Sequence, residues 1–253
     1  GIKHFKIIMI QHTGSNNHHE IRDAIRALCA EFPDEYFRKV DEARAYPAEF
    51  VDALTKAGWM AALIPQEWGG SGLGLTEASV IMEEINRCGG NSGACHGQMY
   101  NMGTLLRHGS QAQKEKYLPK IASGEWRLQS MGVTEPSTGT DTTKIKTTAV
   151  KKDGRYVVNG QKVWISRIQH SDWMILLART TALAEVKKKS EGMSIFMVDL
   201  RAAEGLPPRS PAAQGSLPPT GAAFGLGGGP AAEHATKTEA VCALSAGAGA
   251  VLE

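Results

Sequence analysis

Through the first half of the chain apolar residues recur every three or four positions, the spacing of one face of a helix. In 47-PAEFVDALTKAGW-59 the residues Phe50, Val51, Leu54 and Ala57 share a face, Pro47 suits a first turn and Gly58 a stop. The segment 76-TEASVIMEEINRCGG-90 predicts a second helix, capped by Thr76, with Glu77 in its first turn and two glycines past its end. Apolar on more than one side, 98-QMYNMGTLLRHG-109 reads as a buried helix, and 111-QAQKEKYLPKIASG-124 as another that ends at Gly124.

Past residue 126 the pattern alternates and becomes β-branched, as in strands. Two turn dipeptides, Asp153-Gly154 and Asn159-Gly160, divide 147-TTAVKKDGRYVVNGQKVWIS-166 into three expected strands. Two more follow in 173-WMILLART-180 and 193-MSIFMVDL-200, with the lysine run 186-VKKKSEG-192 as a solvated hairpin tip. Residues 201–253 are dominated by Ala, Gly, Pro and Ser, too little apolar bulk to offset the entropy of ordering. The pattern therefore predicts an α+β chain in four zones. They are a leader without fixed structure (1–17), a helical domain (18–126), a small antiparallel β domain (127–200) and a disordered tail (201–253), with a short helix over 238–246.

Composition narrows the function. A net charge of +2 argues for neither a nucleic-acid partner nor a membrane surface, and no apolar run reaches the length of a membrane span. Cys29, Cys88, Cys95 and Cys242 form no CxxC pair, which fits a reducing, cytoplasmic setting. No metal site is expected: His18-His19 and Cys95-His96 lack a second ligand pair. The glycines of 68-WGGSGLG-74 do not follow the nucleotide-binding spacing and read as an inter-helix loop.

Two segments carry candidate chemistry. In 131-MGVTEPSTGTD-141 a carboxylate, a proline and a Ser-Thr-Gly-Thr run follow a strand-like segment. Such a loop exposes amides and small hydroxyls that could hold a polar ligand edge, or it is a plain strand-to-turn junction. In a strand, Trp164 and Ser166 share one face while Val163 and Ile165 face the core. That pairing suits a planar, polar-edged cofactor, or a tryptophan packed on the neighbouring helices.

Taken in series, the helices ending in QKEKYLPKIASGE, the loop PQEWGGSGLG at 65–74, 133-VTEPSTGTD-141, the KVWIS segment and 173-WMILLART-180 resemble the acyl-CoA dehydrogenase family, amino-terminal and middle domains, over residues 20 to 200. The resemblance implies FAD as cofactor, acyl-CoA as substrate, an electron-transfer flavoprotein as acceptor and homo-oligomeric assembly. It implies that Met131, Val133 and Thr134 contact the isoalloxazine edge, that Trp164 packs beside the flavin with Ser166 near its N5 side, and that Thr140 helps hold the CoA portion. The implied reaction is α,β-desaturation: a glutamate removes the α-proton while the β-hydrogen leaves as hydride. That glutamate belongs to a carboxyl-terminal helical bundle, which residues 201–253 do not resemble. None of Glu204, Glu233, Glu239 and Glu253 has the matching context, so the base is unassigned and turnover by this chain is not expected. Alternatives on the same fold are an inactive fragment or binding module, and a flavin oxidase or monooxygenase.

Overall fold

The computed structural model describes residues 18–152, 154–201, 244–245 and 251–252. Its helices are α1 (His19–Cys29), α2 (Asp34–Glu42), α3 (Ala48–Lys56), α4 (Leu75–Arg87), α5 (Gly93–His108) and α6 (Gln111–Ala122). On α3, Phe50, Val51 and Leu54 are buried as their spacing requires, whereas Ala57 is the exposed cap ahead of Gly58, whose φ is 82°. The α4 cap is Gly74, not Thr76, because the Glu77 carboxylate reaches back 2.9 Å to accept the Gly74 N–H. Residues 65–74 form a loop between α3 and α4, as expected.

α1 is fastened to α4 through charge. Glu84 of α4 is fully buried and accepts from Arg26 Nε at 2.8 Å and from Arg22 Nη1. Burial would raise its carboxyl, but the two guanidiniums outweigh that and hold it below the ordinary carboxylate value.

The strands are β1 (Ser130–Gly132), β2 (Thr148–Lys152), β3 (Arg155–Asn159), β4 (Trp173–Arg179) and β5 (Met193–Asp199). The hairpins β2–β3 and β4–β5 are antiparallel, but β1 and β2 both meet β4 in parallel, so β4 organises the sheet. Residues 160–166, expected as a third strand of the hairpin, are not one. A Cβ at Gly160 would lie 2.3 Å from Thr147 Oγ1; glycine lets the chain press onto Thr147 there and leave the sheet. Two further strands, β6 (Leu244–Ser245) on β3 and β7 (Val251–Leu252) on β5, pair with the outer edges. Of the segment expected as a tail with a short helix over 238–246, these four residues are described as strand, and the expectation for the remainder falls outside the described residues. Edge strands present unpaired groups that recruit any neighbouring extended chain. The leader 1–17 and the rest of the tail lie outside the described residues.

Side chains alternate along β4 and so join two cores. Trp173 and Ile175 pack with Tyr117, Leu118, Ile121 and Trp126, while Met174, Leu176 and Ala178 pack with Phe196 and Val198. A third cluster lies among α1, α3, α4 and α5 around Ile25, Phe50 and Ile81.

Candidate functional site

Beyond β1 the chain turns sharply. Glu135 and Thr138 exchange backbone hydrogen bonds of 2.9 and 3.1 Å, which closes a tight turn around Pro136 and Ser137. Inside it the Glu135 carboxylate is buried. Its Oε2 accepts from Lys146 N–H at 2.6 Å, and its Oε1 from Thr147 N–H and Lys162 Nζ, each at 2.9 Å. Burial would raise this carboxyl, yet those donors hold it below the ordinary carboxylate value; burial conversely lowers Lys162, partly offset by Glu135. Lys162 Nζ also donates to the Val133 carbonyl at 2.9 Å, and Val163 N–H to the Thr134 carbonyl at 2.9 Å. The departing segment 160–166 is thus bound along the 133–135 loop.

This pinning decides the surroundings of Trp164. Its backbone is left-handed, φ 60°, unusual for so bulky a residue, and its side chain is 82% exposed. The strand on which Trp164 and Ser166 were expected to share a face is therefore absent here, although both are exposed while Ile165 packs partly against the sheet core. Met131 is half-buried against the helical core, and Val133 and Thr134 lie beside the Trp164 segment through the bonds just described. Thr140 is exposed further along the loop, beyond the turn. Thr138 Oγ1 donates to the Asp141 carbonyl at 2.6 Å, and the Asp141 carboxylate accepts from Thr143 N–H at 3.2 Å.

On the other side of residues 165–170 opens a cleft of about 750 Å³, walled by the α2–α3 connection and the α4–α5 turn. Ile165 and Ile168 line it, with Arg167 between them at φ 57°. At its back His170 stacks on Tyr46, ring centres 4.1 Å apart, and the Tyr46 hydroxyl donates to Gln129 Oε1 at 2.8 Å. Burial first and the Arg127 charge second hold the His170 imidazole below its ordinary value, so it is neutral at pH 7. Among the described residues no group of three His, Cys, Asp or Glu is placed to hold a metal ion. No helix among them is long and apolar enough to cross a membrane.

The amino-terminal-domain model of the acyl-CoA dehydrogenases matches residues 15–125, and their middle-domain model residues 130–220. The chain belongs to the acyl-CoA dehydrogenase family. Over 183 residues it is 36% identical to the mitochondrial isovaleryl-CoA dehydrogenase of Pongo abelii, covering 69% of this chain and 43% of that protein. It superposes on an acyl-CoA dehydrogenase from Geobacillus kaustophilus with a TM-score of 0.68 at 27% identity, over 76% of this chain and 50% of that one. A glutaryl-coenzyme A dehydrogenase, solved as its glutaryl-CoA complex, superposes with a TM-score of 0.66 at 30% identity, over 76% and 48%. The chain spans less than half the length of these curated relatives.

Three elements of this candidate site escaped the sequence pattern. Lys162 and Glu135 are 27 positions apart and each looks like surface charge. Arg179 reads as the polar end of a strand, yet it is buried and donates to the Ile145 and Glu191 carbonyls at 3.2 and 3.0 Å, tying the 141–145 segment to the β4–β5 loop. Arg167 follows a motif whose attention falls on Trp164. A charged residue between Ser166 and Ile168 was its only signal.

Proposed function

We propose that this chain provides the flavin and thioester face of an FAD-dependent enzyme that desaturates acyl-CoA thioesters between the α and β carbons. One observation carries the reading: Trp164, largely exposed on a left-handed backbone, is held beside Thr134 by the Val163–Thr134 hydrogen bond. Among the described residues nothing covers this bulky side chain on its strained backbone, and such outliers concentrate at ligand sites. A planar ring laid on the indole would cover it, so the residues present fit a flavin.

When bound, FAD supplies the acceptor for the β-hydrogen, which leaves as hydride. The remaining roles fall to side chains and backbone. Trp164 offers the stacking plane, Met131, Val133 and Thr134 the backbone and side chains along the edge of the ring, and Ser166 a hydroxyl close by. Thr140 takes the CoA portion. Lys162 fixes the Val133 carbonyl and Val163 the Thr134 carbonyl, so the loop is set before any ligand arrives.

Removal of the α-proton needs a free carboxylate within reach. The two carboxylates of the 131–141 loop do not qualify. Glu135 is sealed by three donors, and Asp141 is engaged by Thr143 and Lys144. We therefore assign the base to no described residue, which favours a second reading, a flavin- or thioester-binding unit that does not turn over alone. Electron-transfer flavoprotein is the acceptor expected for the complete reaction. Titrating FAD against Trp fluorescence tests binding, and bleaching of the bound flavin by acyl-CoA tests desaturation. Quenching without bleaching supports the second reading; no quenching rejects the first reading and the flavin-binding form of the second.

A further inference from the structure

We propose that the cleft beside Arg167 binds a carboxylate on an alkyl stem, the free acid end of an acyl group that carries two. The thioester half of this statement rests on the function proposed above; the carboxylate half does not.

Arg167 carries the argument. An arginine is charged at any working pH and brings five donors in a fixed fork. Among the described residues its guanidinium makes no ion pair and no hydrogen bond, and Nε is buried without a partner. Arg167 is half-buried, and a charge partly withdrawn from water without a counter-ion is disfavoured, so the site suits an anion. The position is also built. Arg167 adopts a left-handed backbone, and its guanidinium lies across α5 at two glycines one helical turn apart. A Cβ at Gly97 would stand 2.7 Å from Nη2, and one at Gly93 3.2 Å from Nη1. Only the lack of side chains on that face of α5 leaves room for the fork.

The surroundings select the ligand. Phe37, Val40, Ala94, Ile165 and Ile168 give the cleft apolar walls suited to an alkyl stem. Arg44 and Asp41 are exposed at its margin and offset one another, while His170 is neutral, so Arg167 supplies the one uncompensated charge among these groups. A monoanion matches a single cation better than a phosphate dianion beside Asp41. Planar carboxylates also meet the guanidinium fork in two parallel hydrogen bonds.

The test uses the full chain without added FAD. Pentanoate, pentanamide and inorganic phosphate are titrated by calorimetry into the wild type and into Arg167→Asn and Arg167→Lys. Asparagine tolerates the left-handed backbone, so the first variant removes the cation without straining the turn. Expected is saturable pentanoate binding that weakens roughly tenfold or more in Arg167→Asn, the loss typical of a charge-assisted hydrogen bond. Partial recovery is expected in Arg167→Lys, with pentanamide not binding. Pentanoate binding equal to pentanamide, or phosphate binding tighter than pentanoate, overturns the proposal; these comparisons need only the wild type, should a variant fail to fold. A second arm compares glutaryl-CoA with pentanoyl-CoA in the presence of FAD, where the dicarboxylyl thioester should bind roughly tenfold tighter. Pentanoate binding with neither thioester bound would reject the function proposed above while leaving the carboxylate site in place.

Discussion

Lys162 and Glu135, both buried, meet at 2.9 Å beneath the 133–141 loop, and the same ammonium holds the Val133 carbonyl. Removing one partner strands the other. Lys162→Met should destabilise the chain by about 3–5 kcal/mol, whereas Lys162→Met with Glu135→Gln should recover part of that loss because no charge is left unpaired. Urea unfolding midpoints of the single and double variants decide it; equal losses would mean that the pair contributes only packing.

Acid should act through the same kind of group. Glu135 and Glu84 both hold their protons more weakly folded than unfolded, since hydrogen-bond donors outweigh burial at each. Their stabilisation is therefore full above the ordinary carboxylate value of 4.5 and is lost as pH falls through their lower folded values. Melting temperatures followed downward from neutral pH should fall in that window. Glu84→Gln should start lower and fall less steeply, and an unchanged slope would remove Glu84 from the account.

Trp164 separates stability from binding. Its left-handed backbone costs on the order of 1 kcal/mol or more, a strain glycine does not feel. Being 82% exposed, the indole has little burial to lose. Trp164→Gly should thus leave the melting temperature unchanged or raised, while FAD affinity drops about fivefold or more for loss of an aromatic contact near 1 kcal/mol. Unchanged FAD affinity would place the flavin elsewhere.

Gly97→Ala sets two effects against each other. Alanine gains about 1 kcal/mol of helix propensity on α5. The new methyl meets the movable end of Arg167, and the Gln129 carbonyl at 3.1 Å must yield slightly. Stability should change by less than about 1 kcal/mol, but pentanoate binding should weaken several-fold because the fork is displaced. Calorimetry and thermal melting, run on the same sample, separate the two.

Sequence periodicity located what local forces decide. The buried face of α3, the β2–β3 and β4–β5 hairpins and the 65–74 loop follow from spacing and turn residues within a few positions of each other. It failed where distant groups decide. KVWIS alternates like a strand, but Gly160 against Thr147 and the pull of Glu135 and Thr134 on residues 162–163 take it off the sheet. The parallel pairing of β1 and β2 with β4 is non-local in the same sense. Met131, Val133, Thr134, Trp164 and Ser166 could be singled out because they sit in recognisable segments. Arg167 could not, since what makes it unusual is two glycines on α5 some 70 positions earlier.

The packing of Trp173 on Tyr117, ring centres 4.9 Å apart and edge to face, also governs how the chain is made. The two residues are 56 positions apart (173 − 117), and Trp126 shares the contact. At about 5–20 residues added per second, α6 leaves the ribosome several seconds before β4 arrives to cover it. During that interval Tyr117, Leu118 and Ile121 have no sheet to pack on. The helical half of the nascent chain therefore carries an uncovered apolar face until synthesis has passed Trp173.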